Sequence, residues 1–159
     1  MEWAAAQCRY LTDRSEGPFA ALEDDDLARE PVPGSKTAGW LIGHLVLTGD
    51  FGRRLCGLPP IAPKAWRELF SPGTVPSHDR QVYPPMRDLT STFFAVYRDF
   101  AANAPQAPCD RLAAINPYEP ARDAFPTAGD FVRYLLSGHL AWHLGQLSIW
   151  RAARPAGRT

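Results

Sequence analysis

The chain has no surplus of charge. Seventeen Lys and Arg residues balance seventeen Asp and Glu, which leaves a formal net charge of zero and a pI near 6.9. Nucleic-acid binders ordinarily carry a basic excess that attracts phosphates, so this balance argues against such a partner. Long hydrophobic runs are missing too, and no stretch approaches the roughly 20 apolar residues of a membrane span. The opening Met1-Glu2-Trp3 lacks the basic segment and apolar run of a secretory leader. Cysteine is scarce. Cys8, Cys56 and Cys109 are odd in number, widely spaced and in no CxxC pair, which speaks against a disulfide framework or a cysteine-based zinc site. The expectation is a cytoplasmic protein whose thiols are reduced, small and buried. No internal repeat and no low-complexity tract is present.

A length of 159 residues with 45% hydrophobic content suits a single domain, 1–159, with one core. Proline is abundant, and it clusters at Pro31-Val32-Pro33-Gly34, Leu58-Pro59-Pro60, Ser71-Pro72-Gly73, Pro84-Pro85 and between Pro105 and Pro126. Proline removes a backbone donor and clashes with the preceding turn, so these clusters mark connections between helices. Four long helices are predicted between them. The first covers about residues 2–23, with a break at Gly17-Pro18 and a short Leu27–Glu30 segment after it. The second runs from an N-cap at Ser35 to about Gly57. The third begins at Pro84-Pro85 and carries Met86, Leu89, Phe93, Val96, Tyr97 and Phe100 at helical spacing. The fourth starts at Thr127, with Asp130 three residues on as in a capping box, and continues to about Arg154 before Pro155-Ala156-Gly157. Arg151, Arg154 and Arg158 complement the dipole at its C-terminal end. The predicted fold class is all-α, a four-helix bundle with long crossover connections.

Only four histidines are present, and three fall in a pattern. His139 and His143, four residues apart on one helix, stand about 40° apart on one face, the interval for chelating one ion. Val132, Leu135, Trp142, Gln146 and Trp150 share that face when the helix is treated as continuous, and His44 is flanked in the same way by Trp40, Leu41, Leu47, Phe51 and Leu55. A polar ring at the centre of an apolar stripe costs free energy unless something satisfies it. A metal would satisfy all three at once, since neutral imidazole is the common ligand of zinc, copper and nickel and three ligands leave a coordination position open. His78, between Pro76 and Asp79, reads as a surface residue. The zinc-protease helix is excluded, because it needs Glu directly after the first histidine and Leu140 stands there.

Two motifs carry a family resemblance. Trp40-Leu41-Ile42-Gly43-His44-Leu45, reached through Pro31-Val32-Pro33-Gly34, resembles the second-helix signature of the DinB-like (YfiT-like) family of metal-dependent hydrolases. Gly138-His139-Leu140-Ala141-Trp142-His143-Leu144-Gly145-Gln146-Leu147, followed by Arg151, is similar to its fourth-helix signature. The resemblance covers nearly the whole chain in helix order and linker placement, and includes Phe70-Ser71-Pro72-Gly73-Thr74 in the second connection. It implies a four-helix bundle of up-down-down-up topology, often a homodimer, with a divalent metal (commonly zinc or nickel) on one histidine of helix two and two of helix four. Those positions match His44, His139 and His143. It further implies chemistry on a small-molecule substrate, by hydrolysis or by transfer or isomerisation with a low-molecular-weight thiol as co-substrate.

The catalytic residues remain unassigned at this level. Hydrolysis wants a carboxylate near the reacting water, and none sits on the histidine stripes: Asp50 points about 120° from His44 and Asp130 about 180° from His139. Asp88 or Tyr97 of helix three are the alternatives. That absence favours thiol activation. Trp40, Phe51, Trp142, Gln146 and Trp150 are the candidate pocket and supporting residues. A non-catalytic metal or small-ligand binding protein is the alternative reading.

Overall fold

The computed structural model describes residues 1–154, so Pro155-Ala156-Gly157 and Arg158 lie outside the described residues. The bundle is built from α1 (Glu2–Arg14), α3 (Ala38–Leu55), α5 (Met86–Asn103) and the pair α7 (Ala128–Leu136) and α8 (Gly138–Ala152). Shorter helices α2 (Glu16–Ala20), α4 (Arg67–Phe70) and α6 (Cys109–Ala113) lie in the connections. Among the described residues, β pairing amounts to one isolated bridge between Ile115 and Thr127.

α3 packs against both α5 and α7, and α1 packs against the same two, so α1 and α3 occupy opposite corners. Consecutive long helices at opposite corners need a connection that crosses the bundle end, and residues 15–37 supply it. α3 is apolar and buried on nearly every side over its first two turns, from Ala38 to Val46. Glycine lets its neighbours approach closely. A Cβ on Gly52 would lie 2.3 Å from Phe100, and one on Gly43 would lie 2.5 Å from the Phe70 ring. Leu89, Phe93, Val96, Tyr97 and Phe100 form the buried stripe of α5.

Several boundaries differ from the sequence expectation. The first helix breaks at Ser15, where Oγ donates to the Leu11 carbonyl at 2.8 Å, and Pro18 is tolerated three residues into α2, where its missing N–H is no loss. The 24–30 stretch holds a 3-10 turn at Asp24–Asp26 in place of a Leu27–Glu30 segment, and Asp24 accepts the Met86 N–H at 2.7 Å to cap α5. Thr37, not Ser35, caps α3 by accepting the Trp40 N–H at 3.2 Å. Thr127 and Asp130 do form a capping box at the start of α7.

The largest difference is that the fourth helix is not continuous. Ser137 leaves the helical region (φ −126°, ψ −82°), and α8 starts afresh. The stripe of α8 is therefore set by its own buried residues, Leu140, Leu147 and Trp150, which centre about 65° round from His139. Phase carried over from Val132 and Leu135 misplaced it. Trp142 consequently faces solvent at 69% exposure, not the interior.

Candidate metal centre

Two helices supply the histidines. α3 presents His44, which is almost wholly buried, and α8 presents His139 and His143 from the edge of its stripe. The ring centroids are 5.3 Å apart for His44 and His139, 4.9 Å for His44 and His143, and 4.6 Å for His139 and His143. One ring nitrogen from each can be chosen so that all three lie within 4.8 Å of one another.

The orientation of two rings is enforced from behind. His44 Nδ1 donates to the Phe70 carbonyl at 2.9 Å, because a carbonyl can only accept, and this leaves the Nε2 lone pair free. α4 ends at Phe70, so its last carbonyl is free to take that bond. Trp40 stacks on the other side of His44 at 4.7 Å with 7° between planes, and its Nε1 donates to Thr74 Oγ1 at 2.8 Å. His143 Nδ1 donates to Gln146 Oε1 at 2.7 Å, one turn along α8. This is the outer-shell pattern by which metal-ligating histidines are held in one tautomer. His139 Nδ1 is buried and has no hydrogen-bond partner.

Burial disfavours the imidazolium, so His44 is lowered to about 4 and His139 to about 3; His143 is also lowered, for the same reason. Three neutral rings with free lone pairs turned towards one another, one of them carrying an orphaned buried nitrogen, form a donor set that fits a divalent cation. His44, His139 and His143 would hold it. The exposed His78 is apart from this cluster.

A cavity of about 630 Å³ opens onto His44 and His139. α3 contributes Leu47, Thr48 and Phe51 to its wall, and α7 contributes Phe131 and Tyr134. Tyr118 and Phe125 come from the long third connection, between Pro105 and Pro126, where the sequence has no helical period. Buried Asn116 closes that connection: its side chain donates to the Phe125 carbonyl at 3.0 Å and accepts the Tyr118 N–H at 3.0 Å. The rings it places stack in pairs, Tyr118 on Phe131 and Phe125 on Tyr134. The aromatic content of 117–131 was the available signal, but nothing local indicated the direction the loop takes.

The remaining expected residues are placed unequally. Phe51 lines the cavity, Trp40 backs His44, and Gln146 holds His143. Trp150 is buried away from the cavity, with Nε1 donating to the Arg29 carbonyl at 3.0 Å, and Trp142 is on the surface. Both depart from the pocket role expected of them, because the α8 stripe is rotated. Cys8 and Cys56 are buried thiols that desolvation raises to about 12 and about 11, whereas Cys109 is exposed, contrary to expectation.

No free carboxylate faces the imidazoles among the described residues that line the cavity. Asp50 does line it, but its Oδ1 accepts Arg53 Nη1 at 3.1 Å and the Ile61 N–H at 2.7 Å, which pins the 58–62 connection to α3. Asp88 is outside the cavity, and Tyr97 is fully buried, where desolvation opposes the ionisation of its hydroxyl.

Compared with known proteins, residues 7–147 match the sequence pattern of the DinB superfamily. Searches of curated proteins and of solved structures give no match. Among the described residues no helix is long and apolar enough to cross a membrane.

Proposed function

From the premise that this chain belongs to the DinB superfamily, we propose that it is a metal-dependent enzyme acting on a small molecule, of the hydrolase or thiol-transferase type. The observation that carries the reading is the cluster of three neutral imidazoles, two of which, His44 and His139, line a largely apolar cavity. Zinc or nickel suits a three-imidazole donor set. When bound, such an ion supplies Lewis acidity that lowers the pKa of a water or thiol presented to it.

The chain's own groups do the rest. Phe70 and Gln146 keep ring nitrogens pointed at one another, the aromatic walls desolvate an apolar portion of the substrate, and the buried position of His44 keeps bulk water from one side. Because Asp50 is committed to Arg53 and to backbone, no lining carboxylate is available to shuttle protons from water. This favours a low-molecular-weight thiol as co-substrate over hydrolysis, since a thiol needs only deprotonation to become a strong nucleophile. Homodimerisation, which follows the family resemblance, and a cytoplasmic location, which follows the scarce and unpaired cysteines, belong to the same proposal.

The test is the metal content of the purified full chain and of His143→Ala, with turnover of a thiol plus an electrophile measured alongside. One equivalent of metal, lost in the variant together with turnover, is the expected result. Full metal in His143→Ala refutes the ligand assignment, and bound metal with no turnover of any thiol or hydrolysable ester points to a non-catalytic binding protein.

A further inference from the structure

The cavity leads away from the histidines in a definite direction. From His139 the rings continue to Tyr134 at 5.7 Å, Phe131 at 6.1 Å and Phe51 at 6.2 Å, and the Arg54 guanidinium lies 5.2 Å above the Phe51 ring. The Arg54 side chain reaches back one turn to Asp50 and Phe51, six and seven residues beyond His44 on α3, about 9–10 Å of helix rise. Leu47, Thr48, Asp50 and Phe51 line the cavity between His44 and Arg54. The space therefore has imidazoles, an aromatic body, and a guanidinium over Phe51.

The charges on that wall are uneven. Arg54 and Arg67 line the cavity against a single carboxylate, Asp50. Asp50 is engaged by Arg53 and backbone N–H groups, and it also forms an ion pair with Arg54, whose Nε stands 3.6 Å from Oδ2, beyond hydrogen-bond distance. Arg54 Nε is itself buried without a hydrogen-bond partner. The Arg67 side chain makes no ion pair among the described residues, although the neighbouring α4 backbone is held at Ser71 and Phe70. Arg54 Nε faces Asp50, while the rest of the part-exposed guanidinium makes no hydrogen bond among the described residues, and the planar fork of arginine is the side chain best suited to an incoming oxyanion.

We propose that the occupant of this cavity is an amphipathic anion, with an aromatic or extended apolar body along Tyr134, Phe131 and Phe51 and an oxyanion received by the arginines of the wall, Arg54 over Phe51 and Arg67 on α4. This rests on the metal-enzyme reading for one point only, that the reacting end of the molecule lies at the histidines. The oxyanion then sits away from the chemistry and selects the substrate without taking part in bond making.

Two fluorescent probes that share one scaffold test the assignment: 1-anilinonaphthalene-8-sulfonate, which is an anion, and N-phenyl-1-naphthylamine, which is neutral. Each is titrated into the full chain, as purified and after chelation. The sulfonate should bind at least about tenfold more tightly than the amine, in line with a charge-assisted contact. Arg67→Glu, at an exposed position, should weaken sulfonate binding about fivefold or more and change amine binding less than about twofold. Arg54→Gln should do the same, with folding checked by circular dichroism. Equal affinity for the two probes, or a sulfonate affinity untouched by both substitutions, overturns the proposal. So does an anion preference that vanishes on chelation and ignores the arginines, since the ion would then be the receptor. If no metal binds but the arginine effects persist, the metal-enzyme reading fails and this one stands.

Discussion

A single methyl group at Gly43 tests how the metal centre is held. In Gly43→Ala the new Cβ would lie 2.5 Å from three carbons of the Phe70 ring, where 3.4 Å is the near limit of ordinary contact. Phe70 has no room to retreat: it is fully buried, with Trp66 edge-on at 5.9 Å and Tyr83 stacked at 6.0 Å. Relief requires a shift of roughly an ångström in the ring or in α4, and overpacking of this kind typically costs about 1–3 kcal/mol. Urea unfolding of the metal-free protein reads that cost as a lower midpoint at unchanged slope. The same shift carries the Phe70 carbonyl away from His44 Nδ1, now 2.9 Å distant. Loss of such an outer contact lowers metal affinity about 10- to 100-fold, measured by competition with a chelator. Phe70→Ala alone should cost about 3–5 kcal/mol. In the double variant the cavity accepts the methyl, so the combined cost should fall short of the sum by about 1 kcal/mol or more. A Gly43→Ala protein within about 0.5 kcal/mol of the parent, or a strictly additive cycle, would refute the wedge between Gly43 and Phe70.

Acid should weaken the metal-free fold through the same rings. His44 at about 4 and His139 at about 3 lie below the unfolded value of 6.5, so the unfolded chain takes up protons that the folded one refuses. Their contribution is whole above pH 6.5 and is lost as pH falls through about 4 for His44 and about 3 for His139. A few kcal/mol in total should disappear by about pH 5, and a melting temperature flat from pH 7 to 5 would contradict the burial argument. Gln146→Leu removes the acceptor for His143 Nδ1 and should lower metal affinity about tenfold or more, whereas Gln146→Glu should retain it; chelator competition distinguishes the two. Asp50→Ala strips buried Arg53 of one carboxylate and frees Ile61 N–H, and should cost about 3–5 kcal/mol in urea unfolding.

Much of the molecule was legible locally. Proline placement and 3–4 spacing located the long helices because both act within one turn of backbone. The histidine pair was legible because an interval of four fixes two side chains on one face whatever surrounds them, and the lone polar ring on the α3 stripe marked His44. Phase failed where it was carried across a break. Ser137 looks like any other helical residue in the sequence, yet the turn there resets α8 and puts Trp142 in solvent and Trp150 in a different part of the core.

The three imidazoles were thus set by spacing and periodicity, which are short-range properties of a chain. The cavity they face was decided only in the folded molecule. Its far wall hangs on Asn116 and Asp50, whose partners are backbone groups of connections without any period: Phe125 and Tyr118 for one, Ile61 for the other. Backbone donors and acceptors are identical at every residue, so no side-chain pattern announces which of them a buried amide or carboxylate will take. Tyr118, Phe125, Arg54 and Arg67 therefore entered the site through tertiary closure alone.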